Sequence, residues 1–216
     1  MIFKLNNLFL NNKLSQLICK NKSTASILIL REKSQFMQTC TYIVWMDLEM
    51  TGLDVLNDKI IEVSSVITDK EMNIIAEGPC FAVHHPAVVF ENMNSWCKKH
   101  HYESGLVEKC LKSQITTSKG QELLLDFFKA YIPKGECALA GNSVYMDRLF
   151  LRKEMPEVDD YLHYRIIDVS TIKELARRWN PKVLAEAPTK KLAHRSLDDI
   201  KDSIEELKYY RHAFFK

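Results

Sequence analysis

Tyr42-Ile43-Val44-Trp45-Met46-Asp47-Leu48-Glu49-Met50-Thr51-Gly52 is an apolar run that meets a pair of acids and then a turn. The run from Tyr42 to Met46 is predicted to be a β-strand, because β-branched and aromatic side chains suit a pleated, largely buried surface. Residues two apart on a strand project from the same face, so Asp47 and Glu49 converge where the strand ends. Such carboxylates repel one another unless a cation stands between them. Hard divalent ions such as Mg2+ and Mn2+ favour oxygen ligands, and Mg2+ is usually held by one or two carboxylates with water and substrate phosphate. A D-x-E pair also fits an exposed turn shoulder, so its meaning depends on what the rest of the chain supplies.

Two more β segments follow at short intervals, Ile60 to Thr68 and Ile74 to Val83, with turn chemistry at Asn57-Asp58 and from Asp69 to Asn73. Connections this short imply an antiparallel meander. Helical patterning then takes over. Leu124, Phe127, Phe128 and Tyr131 recur at helical spacing in a segment from Glu122 to Tyr131 that Pro133 and Gly135 terminate. A short strand from Ala138 to Ala140 runs into Gly141-Asn142-Ser143 and a helix from Tyr145 to Lys153, halted by Pro156. Arg165 to Asp168 reads as a further strand, followed by a helix from Thr171 to Trp179. The last helix, Leu197 to Arg211, presents Ile200, Ile204, Leu207 and Tyr210 on one face. Three strands, then helices interleaved with two more strands, predict one α/β domain built on a mixed sheet.

The 216 residues suit one domain with a substantial core and an additional arm. The net charge of +2 conceals an asymmetry. Residues 1–41 hold six basic side chains against Glu32 alone, or +5, which leaves 24 basic and 27 acidic residues, or −3, for the remainder. A slightly acidic body argues against gripping long nucleic acid through a broad basic surface, which relies on many phosphate contacts. Residues 1–40 combine Asn, Ser, Lys and apolar side chains with almost no acid, the pattern of a mitochondrial transit peptide, although Lys stands where Arg is usual. Met37 could serve as a second start and yield a cytoplasmic form lacking the arm. Ser26-Ile27-Leu28-Ile29-Leu30 is too short to span a bilayer, so no membrane partner is expected. Six cysteines, scattered without C-x-x-C or zinc spacing, read as reduced and mostly buried thiols.

Asp147 lies in a helix soon after Gly141-Asn142-Ser143, and Asp199 lies in the terminal helix five residues after His194. Four acids and a histidine from separate segments, each near a strand end or helix start, could meet above one edge of the sheet. That set suits hydrolysis of a phosphodiester with two metal ions, a histidine near neutral pKa taking the proton from the attacking water.

At this point the chain resembles a known family. Asp47-Leu48-Glu49-Met50-Thr51-Gly52-Leu53, Ala76-Glu77-Gly78-Pro79, Ser104-Gly105-Leu106, Gly141-Asn142-Ser143 with Asp147, His163-Tyr164-Arg165 with Asp168-Val169-Ser170, Lys173 to Trp179, and His194 with Asp198-Asp199-Ile200 are similar to the oligoribonucleases. These belong to the DEDDh branch of the 3'-to-5' exonucleases and have a ribonuclease H-like fold. The resemblance runs from about residue 41 to the C-terminus. It implies a five-stranded mixed sheet flanked by helices, an exonuclease domain over residues 41–216, and an extension over 1–40. It implies that Asp47, Glu49, Asp147 and Asp199 hold two Mg2+ or Mn2+ ions and that His194 is the general base. The family spacing from the histidine selects Asp199 over Asp198, and helical phase turns Asp198 about 100° away. The implied substrates are RNA oligonucleotides of two to about five residues, with Leu53 wedged against one base and Trp96 stacked on another. Ser143, His101, Tyr164 and Arg165 would lie near the terminal phosphate, the last two arriving from the partner subunit of a homodimer.

The residues also admit plainer readings. Trp96 alone reads as a core aromatic, Ser143 as turn chemistry or a helix N-cap, and Tyr164 with Arg165, before an apolar strand, as a sheet-edge pair. In each of the doublets His84-His85 and His100-His101 at least one ring belongs to the surface or the core, because neighbours diverge on either element. Two other functions remain open to the same fold: an exonuclease acting on longer DNA or RNA ends, and a catalytically silent RNA-binding module.

Overall fold

The structure, a computed structural model, describes residues 41–189 and 196–215. β1 (Ile43–Met50), β2 (Ile60–Thr68) and β3 (Ile74–Ala82) form the antiparallel meander. β4 (Ala138–Gly141) and β5 (His163–Asp168) pair in parallel on the other side of β1. The order β3-β2-β1-β4-β5 puts the strand that carries the paired acids at the centre of a five-stranded mixed sheet.

β1 runs further than the apolar run alone implied. It continues through Asp47, Leu48 and Glu49 to Met50, because the ladder to β2 persists with Asp47 opposite Ser64 and Glu49 opposite Glu62. The acids are therefore held on pleated backbone instead of on a turn shoulder. β5 likewise begins at His163, so Tyr164 and Arg165 lie in the strand. Between β3 and the first long helix the pattern of larger helices concealed three short ones, α1 (Ala87–Glu91), α2 (Ser95–Glu103) and α3 (Leu106–Lys112). Each is too short to display a clear periodicity.

α4 (Thr117–Tyr131), α5 (Tyr145–Glu154) and α6 (Pro156–Tyr161) complete the middle of the chain, and α7 (Val169–Trp179), α8 (Pro181–Ala185) and α9 (Ser196–Phe214) follow β5. Alternation along β1 divides the core between the two faces of the sheet. Val44, Met46 and Leu48 pack with Leu124, Phe128, Phe150 and Leu151 on one face. Trp45 packs on the other with Val169, Ala176, Ile200, Ile204 and Tyr210, and its indole N–H donates to Thr68 Oγ1 at 2.9 Å. Asp47 and Glu49 share the parity of Trp45, so they open on the side covered by α9. Residues 60–68 are buried throughout, as expected of an inner strand covered on both faces. Cys97, Cys110 and Cys137 are buried thiols, whereas Cys80 is exposed on edge strand β3. No helix among the described residues is long and apolar enough to cross a membrane.

Candidate active site

Asp47, Glu49 and Asp199 come together where β1 passes under the first turn of α9, each offering a carboxylate oxygen within 4.8 Å of the others. Asp198, the neighbouring acid, is exposed. The approach of α9 is secured three residues earlier. The Ser196 hydroxyl donates to Glu62 Oε2 at 2.9 Å and lies 2.6 Å from Ser64 Oγ, so two side chains of β2 grip the start of the helix that bears Asp199.

Asp147 reaches the same strand from the other side. β4 pairs with β1 only as far as Ala140 opposite Trp45, and the chain then turns into α5. Gly141 makes that turn possible, since a Cβ there would lie 2.9 Å from the Met46 carbonyl oxygen. Beyond the end of β4 the Leu48 N–H has no strand partner on that side, and Asp147 Oδ1 accepts it at 2.9 Å. Asp147 is thus buried against β1, beside the trio and oriented by the backbone of the residue between Asp47 and Glu49.

This crowding is costly for carboxylates. Burial, followed by the negative charges of Glu62, Asp199 and Asp147, pushes Glu49 up to about 8. Burial pushes Asp147 up to about 7, against the hydrogen bond from Leu48. A donor set made of oxygen alone, with acids reluctant to ionise beside one another, fits a hard divalent cation. The metal-free fold holds protons on Glu49 and Asp147 at pH values where the unfolded chain, with ordinary carboxylates, has released them. Stability therefore falls as pH rises from the ordinary carboxylate range towards 7 to 8, and cation uptake relieves that loss while releasing protons. The melting temperature of EDTA-treated protein is expected to fall from pH 5 to pH 8, with a gain on adding Mn2+ that is larger at pH 8. A gain independent of pH would count against the cluster as the cation site.

A cavity of about 430 Å³ adjoins the trio, lined by Glu49, Met50, Leu53, Trp96 and His101 among others. Leu53 is 68% exposed and Trp96 is 56% exposed, so the indole is not a core aromatic. Trp96 stacks on His100 with ring centroids 4.0 Å apart, which leaves it an aromatic platform at the cavity wall. His101 is buried, and its Nε2 lies 3.0 Å from the Met50 carbonyl, tying α2 to the end of β1. Ser143 lines a separate cavity of about 410 Å³ with Asp168, Ser170 and Arg178. It holds a left-handed φ of 54° and does not cap α5, whose N-cap is Val144 without a side-chain bond. Asp168 stabilises this backbone by accepting the Ser143 N–H at 3.0 Å and the Ser170 N–H at 2.9 Å.

Tyr164 and Arg165 stand on β5, at the edge of the sheet, with the guanidinium carbon 5.2 Å from the Tyr164 ring centroid. His194 lies outside the described residues, two positions before the start of α9. Sequence reasoning missed the importance of Asn142. Its amide donates to Ser203 Oγ at 2.8 Å and to Glu206 at 3.2 Å, and its carbonyl accepts from Ser170 Oγ at 3.0 Å, so it joins the turn after β4 to both α9 and α7. Its partners lie 28 to 64 positions away, beyond any local signal.

An open mixed sheet with acids gathered on its central strand is the architecture of a nuclease class, and the comparisons place the chain within it. Residues 44–207 match the family described as Exonuclease, RNase_T, and the chain belongs to that exonuclease family. Relatives within it include oligoribonucleases. The chain is 53% identical over 199 residues to a probable oligoribonuclease of Drosophila melanogaster, covering 91% of this chain and 94% of the relative. It is 49% identical over 175 residues to the oligoribonuclease of Haemophilus ducreyi, covering 81% and 95%. It is 50% identical over 173 residues to a mouse protein named mitochondrial oligoribonuclease, covering 80% and 73%. Among solved structures, exonuclease I of Methylocaldum szegediense superposes with a TM-score of 0.62 at 16% identity, over 82% of this chain and 42% of that one. The chain thus spans about two fifths of that larger exonuclease, and the likeness establishes the fold.

Proposed function

We propose that this protein is a divalent-metal-dependent 3'-to-5' exoribonuclease that converts RNA of two to about five nucleotides into 5'-mononucleotides. One observation carries the reading: Glu49 belongs both to the carboxylate trio and to the cavity walled by Leu53 and Trp96. A base held between an aliphatic side chain and an indole would bring its phosphodiester to the acids, and stacking tolerates every base. A cavity that holds a short substrate end to end needs few phosphate contacts, in keeping with the slightly acidic body.

Asp47, Glu49, Asp147 and Asp199 would hold the cations, Mg2+ or Mn2+, and His194 would accept the proton of the attacking water. When bound there, two such ions supply an activated water and a counter-charge for the leaving oxygen. Glu49 and Asp147, raised by burial, exchange protons for that charge. His101, which lines the cavity, would lie near the terminal phosphate. End-labelled RNA of two and of twenty nucleotides tests the reading. Rapid cleavage of the dinucleotide, slow cleavage of the longer RNA, and loss of both in EDTA are expected. Preference for the longer RNA would favour a general exonuclease, and dinucleotide binding without turnover a silent module.

Tyr164 and Arg165 would complete a second subunit's site, with Ser143 near the same phosphate. Support comes from β5, an edge strand of the sheet among the described residues, and from Leu175 and Trp179 of α7, which are exposed. Mixing inactive Asp199→Ala with inactive Arg165→Ala is then expected to restore part of the activity. No recovery in a mixture that sediments as a heterodimer would refute the shared site. Residues 1–40 are proposed to direct the exonuclease domain, 41–216, to mitochondria, with initiation at Met37 supplying a cytoplasmic form; a mature native protein retaining Met1 in isolated mitochondria would speak against cleavage.

A further inference from the structure

Leu53 stands on the turn between β1 and β2 with two thirds of its surface exposed, so packing does not hold it in place. What holds the turn is an internal set of hydrogen bonds centred on Asp58. The base is closed by the Thr51 N–H donating to the Lys59 carbonyl at 3.0 Å. Asp58 Oδ1 accepts the Thr51 hydroxyl at 2.7 Å, and Oδ2 accepts the Asp54 N–H at 2.9 Å, so one carboxylate spans the residues on both sides of Leu53. Thr51 Oγ1 in turn accepts the Lys59 N–H at 3.0 Å.

Gly52 lies directly on this carboxylate, where an added Cβ would sit 2.3 Å from Oδ2. Only a residue without a side chain allows the backbone so near, and the closeness defines where Leu53 emerges. The far half of the turn is braced separately. Asp54 accepts from the Leu56 N–H at 2.9 Å and from Asn57 Nδ2 at 2.7 Å, bonds that hold its carboxyl below the usual carboxylate value, and Lys153 Nζ donates to the Leu56 carbonyl at 2.7 Å.

We infer that Asp58 is a positioning residue for substrate affinity: its carboxylate locks the turn so that Leu53 faces Trp96 across the cavity at a set separation. The inference rests on the proposed short-RNA reading. A preorganised wall grips a base without first being ordered, whereas a loosened turn must lose conformational freedom at each binding event. The acids on β1 are held by the sheet ladder, so releasing the turn weakens binding and spares the chemistry.

The test compares wild type, Leu53→Ala, Asp58→Ala and the double variant on a dinucleotide, with Mn2+ affinity and melting temperature measured for each. Asp58→Ala is expected to raise KM about tenfold, with kcat changed less than twofold and Mn2+ affinity unaltered. The double variant is expected to match Leu53→Ala alone, because the turn has nothing left to position. Asp58→Asn, which keeps one acceptor for Thr51, should fall between Asp58→Ala and wild type. If Asp58→Ala fails to fold, Thr51→Val removes the hydroxyl that Oδ1 accepts and carries the same expectation. An unchanged KM, additive effects in the double variant, or a fall in kcat together with Mn2+ affinity would overturn the inference, as would an active wild type indifferent to Leu53→Ala. A wild type unable to cleave dinucleotides would instead refute the functional reading beneath it.

Discussion

Asp199→Asn is expected to cleave a dinucleotide at least about 10³-fold more slowly than wild type, since metal-borne charge stabilisation is worth several kcal/mol and each 1.4 kcal/mol is tenfold. The substitution keeps shape and removes charge. Asp199 is one of three carboxylates within 4.8 Å of one another, and its replacement leaves two acids on β1 facing a neutral amide from α9. Mn2+ affinity, measured by titration calorimetry, should fall along with kcat. Folding should survive, because Ser196 still binds Glu62 and Ser64, and Ile200 and Ile204 still pack under the helix. Relief of one negative charge should also lower the pKa of Glu49, whose rise owes part to Asp199. An Asp199→Asn protein that kept both affinity and turnover would remove α9 from the cation site.

His194→Ala separates proton transfer from metal binding. A positioned general base is worth about 10² to 10⁴ in rate, so kcat is expected to fall by that range while Mn2+ affinity stays near that of wild type. Three carboxylate oxygens, from Asp47, Glu49 and Asp199, already lie within 4.8 Å of one another, which is why the two variants should part in calorimetry. A histidine acts as a base only when neutral, so wild-type activity should have an acidic limb along which it rises with pH. The variant should lose that limb of the profile. Full activity in His194→Ala, or a loss that follows metal affinity, would exclude it as the base.

The strand and the cluster were legible to different degrees. The apolar run up to Met46 announced a strand, but its continuation to Met50 depended on the ladder to β2, which local residues do not encode. Ile60 to Thr68 was read to the residue, since turn signals at Asn57-Asp58 and from Asp69 to Asn73 bound it on both sides. The helices between residues 87 and 112 escaped notice because five to nine residues hold too few turns for periodicity. Trp96 taken alone reads as core, whereas a two-turn helix at the surface presents it at the wall of a cavity.

What the sequence determined by itself is the chemistry on offer. Asp47 and Glu49 must share a face, since the side-chain period of a strand is two; the choice of Asp199 over Asp198 came from the family spacing after His194, helical phase turning Asp198 about 100° away. Family resemblance supplied the roles of His194, Tyr164 and Arg165, which no spacing within the chain specifies. Only the tertiary structure decided how the acids meet. The end of β4 at Gly141 exposes the Leu48 N–H to Asp147, and Ser196 anchors α9 to residues of β2 that lie more than 130 positions earlier. The physical reason is one of range. Periodicity and turn chemistry act over a few residues, whereas burial of like charges, with Glu49 pushed up to about 8, arises only when distant segments close on one another.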